Sequence, residues 1–317
     1  MNAYFCVLSF ILLKTCSAFY IPIATSSSVT RVAKSIHLED STVVVARNST
    51  GHPIAFHDFC PHRGASFDKV ILKDDVVACP YHGFEFGTHD GILKSGVGVK
   101  PGCSSLKMID CIDKNGLVWA CVDGDDEIQP PPDLKQTSDP TYRKISGSVI
   151  IECPVEHLVS NVVCSLHPSY VHSFGNNMSP EPVQYQARKV SETSGVATFQ
   201  YNAGKTSMFS GVLDVSNWYH IPCTAGTLVR SGDDVKIVQV HAVKLPHGRT
   251  KVFWELYRNW LTHPCFDVVF NVAMKITLNE DKDILERCSF DSGDKFHGKY
   301  DKLQLLYRRS LKKHSFR

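Results

Sequence analysis

The sequence predicts an α+β protein in which a strand-rich first half precedes a mixed second half. Two observations lead to this prediction. Residues 41–121 consist of short β-branched and aromatic runs that are interrupted by turn residues. In the second half, apolar residues between positions 264 and 286 recur at helical spacing, over a length of about six turns. The chain has 317 residues, which is enough for two domains that each bury a core.

The strands of the first half are indicated by their turns. Residues 42–46 (TVVVA) and 54–56 (IAF) flank a turn at 48–51 that contains Asn, Ser, Thr and Gly. This pattern is typical of a β-hairpin. Residues 117–120 (LVWA) follow the turn at 113–116 in the same way, so they are also predicted to form a strand.

The second half contains two strand-like runs and two candidate helices. Residues 235–245 and 250–260 are joined by Pro-His-Gly-Arg and read as paired strands. The helix predicted at 264–286 is followed by an amphipathic segment at 302–313, which ends in basic residues that suit a helix C-terminus. These charges are predicted to face solvent, and a peripheral membrane contact is the minor alternative.

Composition narrows the class of protein. Apolar residues make up 43% and charged residues 21% of the chain, which is typical of a globular protein and excludes a disordered one. The formal net charge is +2, whereas nucleic-acid-binding domains carry a basic excess, so no nucleic-acid partner is predicted. Twelve cysteines are too few for a disulfide scaffold of this length, and metal ligation is the leading interpretation.

The N-terminus is typical of a targeting presequence. Residues 3–13 form an apolar run that is too short to span a bilayer, and residues 17–18 (Ser-Ala) suit a signal-peptidase site. Phe19 and a Ser/Thr-bearing stretch follow, with no acidic residue before Glu39. The combination of signal peptide, Phe and acid-poor tail resembles the bipartite plastid presequence of algae with secondary plastids. Alternatively, Phe19 begins the folded domain, or the destination is another organelle or a membrane.

Two short loops carry one cysteine and one histidine each at metal-ligand spacing. Cys60 and His62 form a C-x-H pair, and sixteen residues later Cys79 and His82 form a C-x2-H pair. Zinc fingers pair Cys with Cys and His with His along the chain, so zinc is the weaker interpretation. Two loops of this kind can hold a 2Fe-2S cluster with both Cys on one iron and both His on the other, which is the Rieske arrangement.

These loops resemble those of the Rieske-type non-haem iron oxygenases. The stretches CPHRGAS, from Cys60, and CPYHGFEF, from Cys79, match the two cluster loops of that family almost residue for residue. The one departure is Phe84, where the family usually has Trp. The resemblance implies that one 2Fe-2S cluster per chain is bound by four residues: Cys60, His62, Cys79 and His82.

A second group of metal ligands is indicated in the second half. His167 and His172 are five residues apart, about 140° around an ideal helix, but Pro168 disfavours helical geometry at His167 and predicts a break there. Two imidazoles and one carboxylate make the facial triad of non-haem iron, which leaves positions open for dioxygen. Spacing does not choose among the acidic residues of the long helix: Glu280, Asp281 and Asp283.

The segment that begins at Asn161 resembles the family's iron-site motif, N-x-x-D-x-x-H-x4-H. The resemblance implies that His167, His172 and Asp281 bind a mononuclear Fe(II), with Asn161 and Cys164 as further residues of the catalytic machinery. Cys164 is a departure, because the family has an Asp there that links an iron-ligand His to a cluster His of the neighbouring subunit. A thiol cannot accept from two N–H groups as a carboxylate does, which predicts slowed or rerouted electron transfer.

The resemblance covers residues 19–317 and implies a domain organisation. The predicted parts are a signal or targeting presequence (1–18), an all-β Rieske 2Fe-2S domain (19–124), a linker (125–142) and a catalytic non-haem iron domain (143–317). The last is expected to have the helix-grip (START-like) fold, in which an antiparallel sheet surrounds a long helix. Homotrimers assembled head to tail are the family's usual way to bring a cluster beside the next subunit's iron.

The resemblance also implies an activity. It predicts an oxidoreductase that uses dioxygen, and electrons from ferredoxin or a ferredoxin reductase, to hydroxylate, oxidatively cleave or demethylate an apolar ring substrate. The presequence makes the chain similar to the chlorophyllide a and pheophorbide a oxygenase group, so a chlorophyll-derived tetrapyrrole is the first candidate substrate. Sterols and small aromatics stay open. The alternative from another class is a non-catalytic or impaired Rieske electron carrier, because of Cys164.

Overall fold

The computed structural model describes residues 19–122, 134, 136, 138–289 and 296–314. The predicted presequence 1–18 and residues 125–133 of the predicted linker lie outside the described residues. Within the described part of the chain, no helix is long and apolar enough to cross a membrane.

The first half of the chain forms two antiparallel sheets. Its strands are β1 Tyr20–Thr25, β2 Lys34–His37, β3 Thr42–Arg47, β4 Pro53–His57, β5 Val76–Ala78, β6 Glu85–Gly87, β7 Leu93–Ser95, β8 Met108–Lys114 and β9 Leu117–Cys121. The six-stranded sheet has the order β1-β9-β8-β4-β3-β2, and the three-stranded sheet has the order β5-β6-β7. The predicted hairpin is confirmed as β3 and β4, and the predicted strand at 117–120 is confirmed as β9.

Among the residues that the structure describes, the second half has a seven-stranded antiparallel sheet and four α-helices. Its elements are β10 Arg143–Ile151, α1 Val155–Val162, α2 Pro168–Val171, β11 Val183–Lys189, β12 Ser194–Asn202, β13 Val212–His220, β14 Thr224–Ser231, β15 Asp234–Leu245, β16 Arg249–Arg258, α3 Asp267–Leu285 and α4 Lys302–Lys313. The strand order is β10-β16-β15-β14-β13-β12-β11. The two paired strands and both helices predicted in this half are therefore confirmed, as β15, β16, α3 and α4.

One face of α3 packs into the core of the second half. Its buried residues follow the helical repeat: Phe270, Met274, Leu278, Asp281 and Leu285. The apolar members of this face join one hydrophobic cluster with residues of α1, α4 and the seven-stranded sheet. The result is an antiparallel sheet packed on a long helix, as the sequence predicts.

The C-terminal helix is anchored in the same core. Leu303, Tyr307 and Leu311 of α4 are buried in the cluster, whereas Lys312 and Lys313 are exposed. The predicted apolar and basic faces of this helix are thus both present. Because the apolar face is already buried, a membrane contact of α4 would have to come from its basic side.

A buried arginine holds the start of α3 to the sheet. Arg258, the last residue of β16, is fully buried, and its Nη2 donates to Oδ1 of Asp267 at 2.5 Å. Arg143 Nη2 donates to the other carboxylate oxygen at 2.6 Å. These two guanidinium groups lower the pKa of Asp267 to about 2. Asp267 is therefore ionised at neutral pH and neutralises a charge that water cannot reach.

We expect Asp267→Asn to lower the free energy of unfolding at pH 7 by about 3 kcal/mol, because it leaves Arg258 as an uncompensated buried charge. The pKa of Asp267 is lower in the folded state, so its contribution is complete above the unfolded pKa near 3.8 and is lost as the pH falls through about 2. The difference between variant and wild type should therefore shrink from pH 5 to pH 2. Urea unfolding at several pH values measures it.

Glu192→Gln is the matched control. Two lysines also lower the pKa of Glu192 to about 2, but its side chain is 55% exposed and shields no buried charge. Its urea midpoint should hardly move. An equal loss of stability in both variants would contradict the role assigned to Asp267.

Candidate functional site

The two cysteine–histidine loops are built in the same way. Cys60 lies shortly after β4 and Cys79 directly after β5. In the first loop, Gly64 N donates to the carbonyl oxygen of Cys60 at 2.7 Å, and in the second, Gly83 N donates to that of Cys79 at 3.0 Å. The φ angles of Gly64 and Gly83 are +72° and +70°, a left-handed conformation that strains other residues. Each pair of ligand residues is therefore presented by one tight turn.

The four side chains of these loops form two layers. Cys60 and Cys79 are each 2% exposed, whereas His62 and His82 are exposed at the surface, with ring centroids 4.7 Å apart. Burial raises the pKa of Cys60, the backbone of His62 opposes this rise, and the adjacent thiol of Cys79 adds to it. Partial loss of hydration at the surface, followed by the nearby charges of His62 and Arg63, lowers the pKa of His82. Two inner sulfurs and two outer imidazoles fit an asymmetric 2Fe-2S cluster.

The second ligand group lies where α1 and α2 meet. The structure corrects the prediction that Pro168 keeps His167 out of helical geometry: His167 has φ −55° and ψ −36° and precedes the first residue of α2. Proline is tolerated as the first residue of a helix, because a backbone N–H at that position would have no partner within the helix. The chain leaves α1 after Val162, and His172 follows α2 with an extended backbone (φ −88°, ψ 138°). Two breaks, rather than one, bring the imidazoles together.

His167, His172 and Asp281 converge. Asp281 Oδ1 is 3.5 Å from Nε2 of His167 and 3.6 Å from Nε2 of His172, and the three ligand atoms lie within 4.8 Å of one another. Neighbouring ligand atoms around a metal with bonds of ~2.1 Å are about 3 Å apart, so small movements would close this group around an ion. Asn161 Nδ2 donates to Asp281 Oδ1 at 2.8 Å and orients the carboxylate.

The three acidic candidates of α3 have different surroundings. Asp281 is 8% exposed and shares the buried face with Leu278, whereas Asp283 is exposed. Glu280 Oε2 lies 3.0 Å from Nδ1 of His172, and its other oxygen accepts the backbone N–H of residue 173 at 3.1 Å. A carboxylate on Nδ1 leaves Nε2 of His172 free to bind a metal. The sequence reasoning missed this orienting role of Glu280.

The electrostatics of the group suit a cation. Burial, and then the neighbouring His172, lower the pKa of His167 to about 3, so its imidazole is neutral. Burial is the main cause that raises the pKa of Asp281. A buried carboxylate beside the neutral imidazole of His167 would be stabilised by a positive ion. The donor set therefore fits a divalent metal, and its two imidazoles and one carboxylate are the ligands of the non-haem iron facial triad.

Cys164 lies between α1 and the ligand histidines. Its pKa is raised, mainly by burial, so the thiol is neutral at pH 7. His167 Nδ1 is buried and has no side-chain hydrogen-bond partner in the described part of the chain; the backbone of Cys164 interacts with this imidazole and raises its pKa, but burial outweighs that effect. A carboxylate at position 164 could accept from such a nitrogen, but a neutral thiol is a weak acceptor. The second nitrogen of this ligand is thus left without the partner that Glu280 gives to His172.

An apolar cavity opens beside the three ligands. Its volume is about 1130 Å³ with its mouth included. It lies between α3 and the inner face of the seven-stranded sheet. Its lining includes the ligands themselves and mainly apolar residues, among them Phe199, Phe209, Val215, Val229, Val238 and Val240. A cavity of this kind suits a largely apolar organic molecule.

Comparisons with known proteins agree with this arrangement. The family model of the Rieske [2Fe-2S] domain matches residues 19–107, which contain both cluster loops. Over 93% of its length the chain superimposes on dicamba monooxygenase bound to dicamba with a TM-score of 0.78, at 17% identity and 96% coverage of that chain. The chain has a Rieske domain within the Rieske oxygenase fold. The predicted resemblance and fold class are thereby confirmed.

Further relatives are similar to parts of this chain or to its fold. NdmA of Pseudomonas putida CBB5, with caffeine, superimposes with a TM-score of 0.77 over 92% of this chain and 88% of NdmA, at 20% identity. The oxygenase component of dicamba O-demethylase from Stenotrophomonas maltophilia is 30% identical over 138 residues, which is 42% of this chain and 40% of the relative. Chloroplastic chlorophyllide a oxygenase from Arabidopsis thaliana is 29% identical over 132 residues, 41% of this chain and 24% of the relative.

The similarity covers only part of each curated relative. The alignments span less than half the length of these two curated relatives. The Rieske domain matched at residues 19–107 confirms the prediction of a 2Fe-2S cluster, and the group formed by His167, His172 and Asp281 fits the predicted mononuclear iron.

Proposed function

We propose that this protein is an oxygenase that uses dioxygen and externally supplied electrons to oxidise an apolar ring substrate. The observation that carries the proposal is the convergence of His167, His172 and Asp281 at the wall of an apolar cavity, in a chain that also has a Rieske domain. An electron carrier has no need of this second ligand group or of the cavity. The overall reaction balances when C–H, dioxygen, two electrons and two protons give C–OH and water.

The proposed site assigns a role to each residue. Cys60, Cys79, His62 and His82 would hold the cluster, which supplies electrons one at a time. His167, His172 and Asp281 would hold the iron, which when bound offers open positions for dioxygen. Asn161 orients Asp281, and Glu280 orients His172. The valines and phenylalanines of the cavity exclude water and hold the apolar part of the substrate.

The electron path is proposed to cross between subunits. His62 and His82 are exposed, together with Tyr81, which is 61% exposed and whose ring contacts that of His82, with centroids 3.8 Å apart and planes tilted by 32°. In the described part of the chain, the ring contacts of His62 and His82 are with residues of the same two loops. The outer ends of the cluster ligands therefore face outwards, where a head-to-tail homotrimer would place the next subunit. Ferredoxin or a ferredoxin reductase is the proposed donor.

A substrate class and a cellular compartment can also be proposed. We favour a chlorophyll-derived tetrapyrrole oxidised in a plastid, for which there are two supports. The first is the presequence pattern of residues 1–18 and the acid-poor stretch after it. The second is the similarity to chloroplastic chlorophyllide a oxygenases of Arabidopsis thaliana, Chlamydomonas reinhardtii and rice. Bacterial relatives of similar identity act on other molecules by name, so small aromatics stay the competing class.

The first experiment counts the metals. We expect anaerobically purified protein to contain about three irons and two acid-labile sulfides per chain, two of the irons in the cluster and one at the second site. Added nitric oxide should give a high-spin EPR signal from that third iron. Dioxygen uptake should depend on an organic substrate, tested with chlorophyllide a, pheophorbide a and a sterol. Two irons, two sulfides and no such signal would contradict the oxygenase and indicate an electron carrier.

A further inference from the structure

The cavity contains one cation whose charge nothing in the described structure balances. Lys236 lies on β15 and lines the cavity with Val238 and Val240, which follow at alternate positions on the same face of the strand. No hydrogen bond or ion pair joins its ammonium group to another residue in the described part of the chain. Burial alone lowers the pKa of Lys236. A charge in such surroundings costs free energy unless a partner is present.

The neighbours of Lys236 do not supply that partner. In the sheet it is opposite Val229 of β14 and Arg258 of β16. Arg258 is a second cation, but it is already paired with Asp267. Of the acidic residues at the metal group, Glu280 is bonded to His172, and Asp281 lies between the two imidazoles. An anion for Lys236 would therefore have to come from outside the protein.

The ammonium group is also connected to the candidate metal site. Lys236 Nζ lies 5.5 Å from the ring centroid of Phe174. Phe174 also stacks on His172, with ring centroids 4.8 Å apart and an angle of 23° between the planes. One aromatic ring thus contacts both the cation and a proposed iron ligand. A molecule held by its anionic group at Lys236 would have its apolar body in the cavity beside the ligands.

We propose that Lys236 is an anion-binding residue of the cavity and that the natural substrate is an apolar ring compound with a carboxylate group. The ammonium group pairs with the carboxylate, and the valines and phenylalanines of the cavity cover the ring. The proposal rests on the proposed function only in taking this cavity as the substrate site. The apolar lining alone does not specify a polar group on the substrate. The proposal names that group as a carboxylate and Lys236 as the residue that fixes the substrate's orientation.

The test measures binding without turnover. Naphthalene-2-carboxylate and the neutral naphthalene-2-carboxamide are titrated into the full-length, oxidised protein, without an electron donor, by isothermal titration calorimetry. We expect the wild type to bind the carboxylate at least about 10-fold more tightly than the carboxamide. Lys236→Met should remove this preference by weakening carboxylate binding alone, and Lys236→Arg should keep it.

Lys251→Met is the matched control. Lys251 lies on the neighbouring strand β16, its Nζ is 4.7 Å from the ring centroid of Phe253, and burial lowers its pKa, but it does not line the cavity. This variant should keep the wild-type preference. A preference that survives Lys236→Met, a wild type that does not distinguish the two probes, or a carboxylate that does not bind would overturn the proposal. Because no turnover is measured, failure of the oxygenase reaction would show separately, in the iron count and in dioxygen uptake.

Discussion

Asp281→Ala is expected to remove one iron per chain and to leave the 2Fe-2S cluster in place. The carboxylate of Asp281 is the group nearest to both imidazoles, and Asn161 holds it in that position. The cluster loops belong to other sheets and should be unaffected. Iron should fall from about three to about two atoms per chain, with sulfide unchanged. Substrate-dependent dioxygen uptake should fall by at least about 100-fold, since even orienting partners of metal ligands cost 10–100-fold.

Asp283→Ala separates loss of the ligand from damage to the helix. Asp283 is two residues further along α3 and is exposed, so its loss should leave about three irons per chain and full dioxygen uptake. Iron and sulfide analysis with an oxygen electrode gives both readouts. An Asp281→Ala protein that keeps its third iron would show that Asp281 is not a ligand. Loss of that iron in the Asp283→Ala protein as well would point to the fold of α3 instead.

The two loops of the Rieske domain could be predicted from the sequence, whereas a choice among the acidic residues of α3 requires the phase of that helix. Each Rieske loop is a contiguous motif, so Cys60 and His62 are fixed relative to each other by one turn. The information that selects Asp281 is also in the sequence: Phe270, Met274, Leu278 and Leu285 define the apolar face of α3, and position 281 falls on it. The spacing of Glu280, Asp281 and Asp283 along the chain does not by itself show which of them lies on that face.

The strand order of the large sheet and the roles of Lys236 and Glu280 depend on tertiary packing, which could not be predicted from the sequence. Strands β10–β14 were not singled out in the sequence, and their order in the seven-stranded sheet depends on pairings between distant parts of the chain, such as β10 with β16. Lys236 is a polar residue in an alternating strand, which predicts a solvent-facing side chain. It lines the cavity because the sheet surface that carries it faces α3 rather than water. Glu280 was missed because its partner, His172, is 108 residues away in the chain.

The error at Pro168 has a local cause. The rule that a residue before proline avoids helical geometry describes a preference and not a prohibition. Proline is also favoured in the first turn of a helix, and α2 begins with it. His167 therefore ends one irregular segment while it starts a new helix. The approach of the two imidazoles, predicted from a single break, depends on the break after α1 and also on the short length of α2, which ends before His172.

Cys164→Asp is expected to speed the oxidation of the reduced cluster in a single turnover by about 10-fold or more. Within the described residues, Nδ1 of His167 is buried and no side chain accepts from it, whereas a carboxylate three residues earlier in the chain could do so. It could also accept from a cluster histidine of the next subunit, which the neutral thiol of Cys164 cannot do at the same time. Both bonds would shorten the path between cluster and iron.

Stopped-flow absorbance of the cluster, reduced anaerobically and mixed with dioxygen and substrate, measures this rate. Cys164→Ser is the control, because a hydroxyl of similar size has no carboxylate charge, and its rate should stay close to that of the wild type. Iron analysis of each variant shows whether the second site is still loaded. Equal rates in the wild type and Cys164→Asp, with about three irons in both, would mean that electrons reach the iron by a route that does not involve position 164. Faster oxidation of the cluster in Cys164→Asp would instead show that Cys164 limits the rate of electron delivery in the wild type.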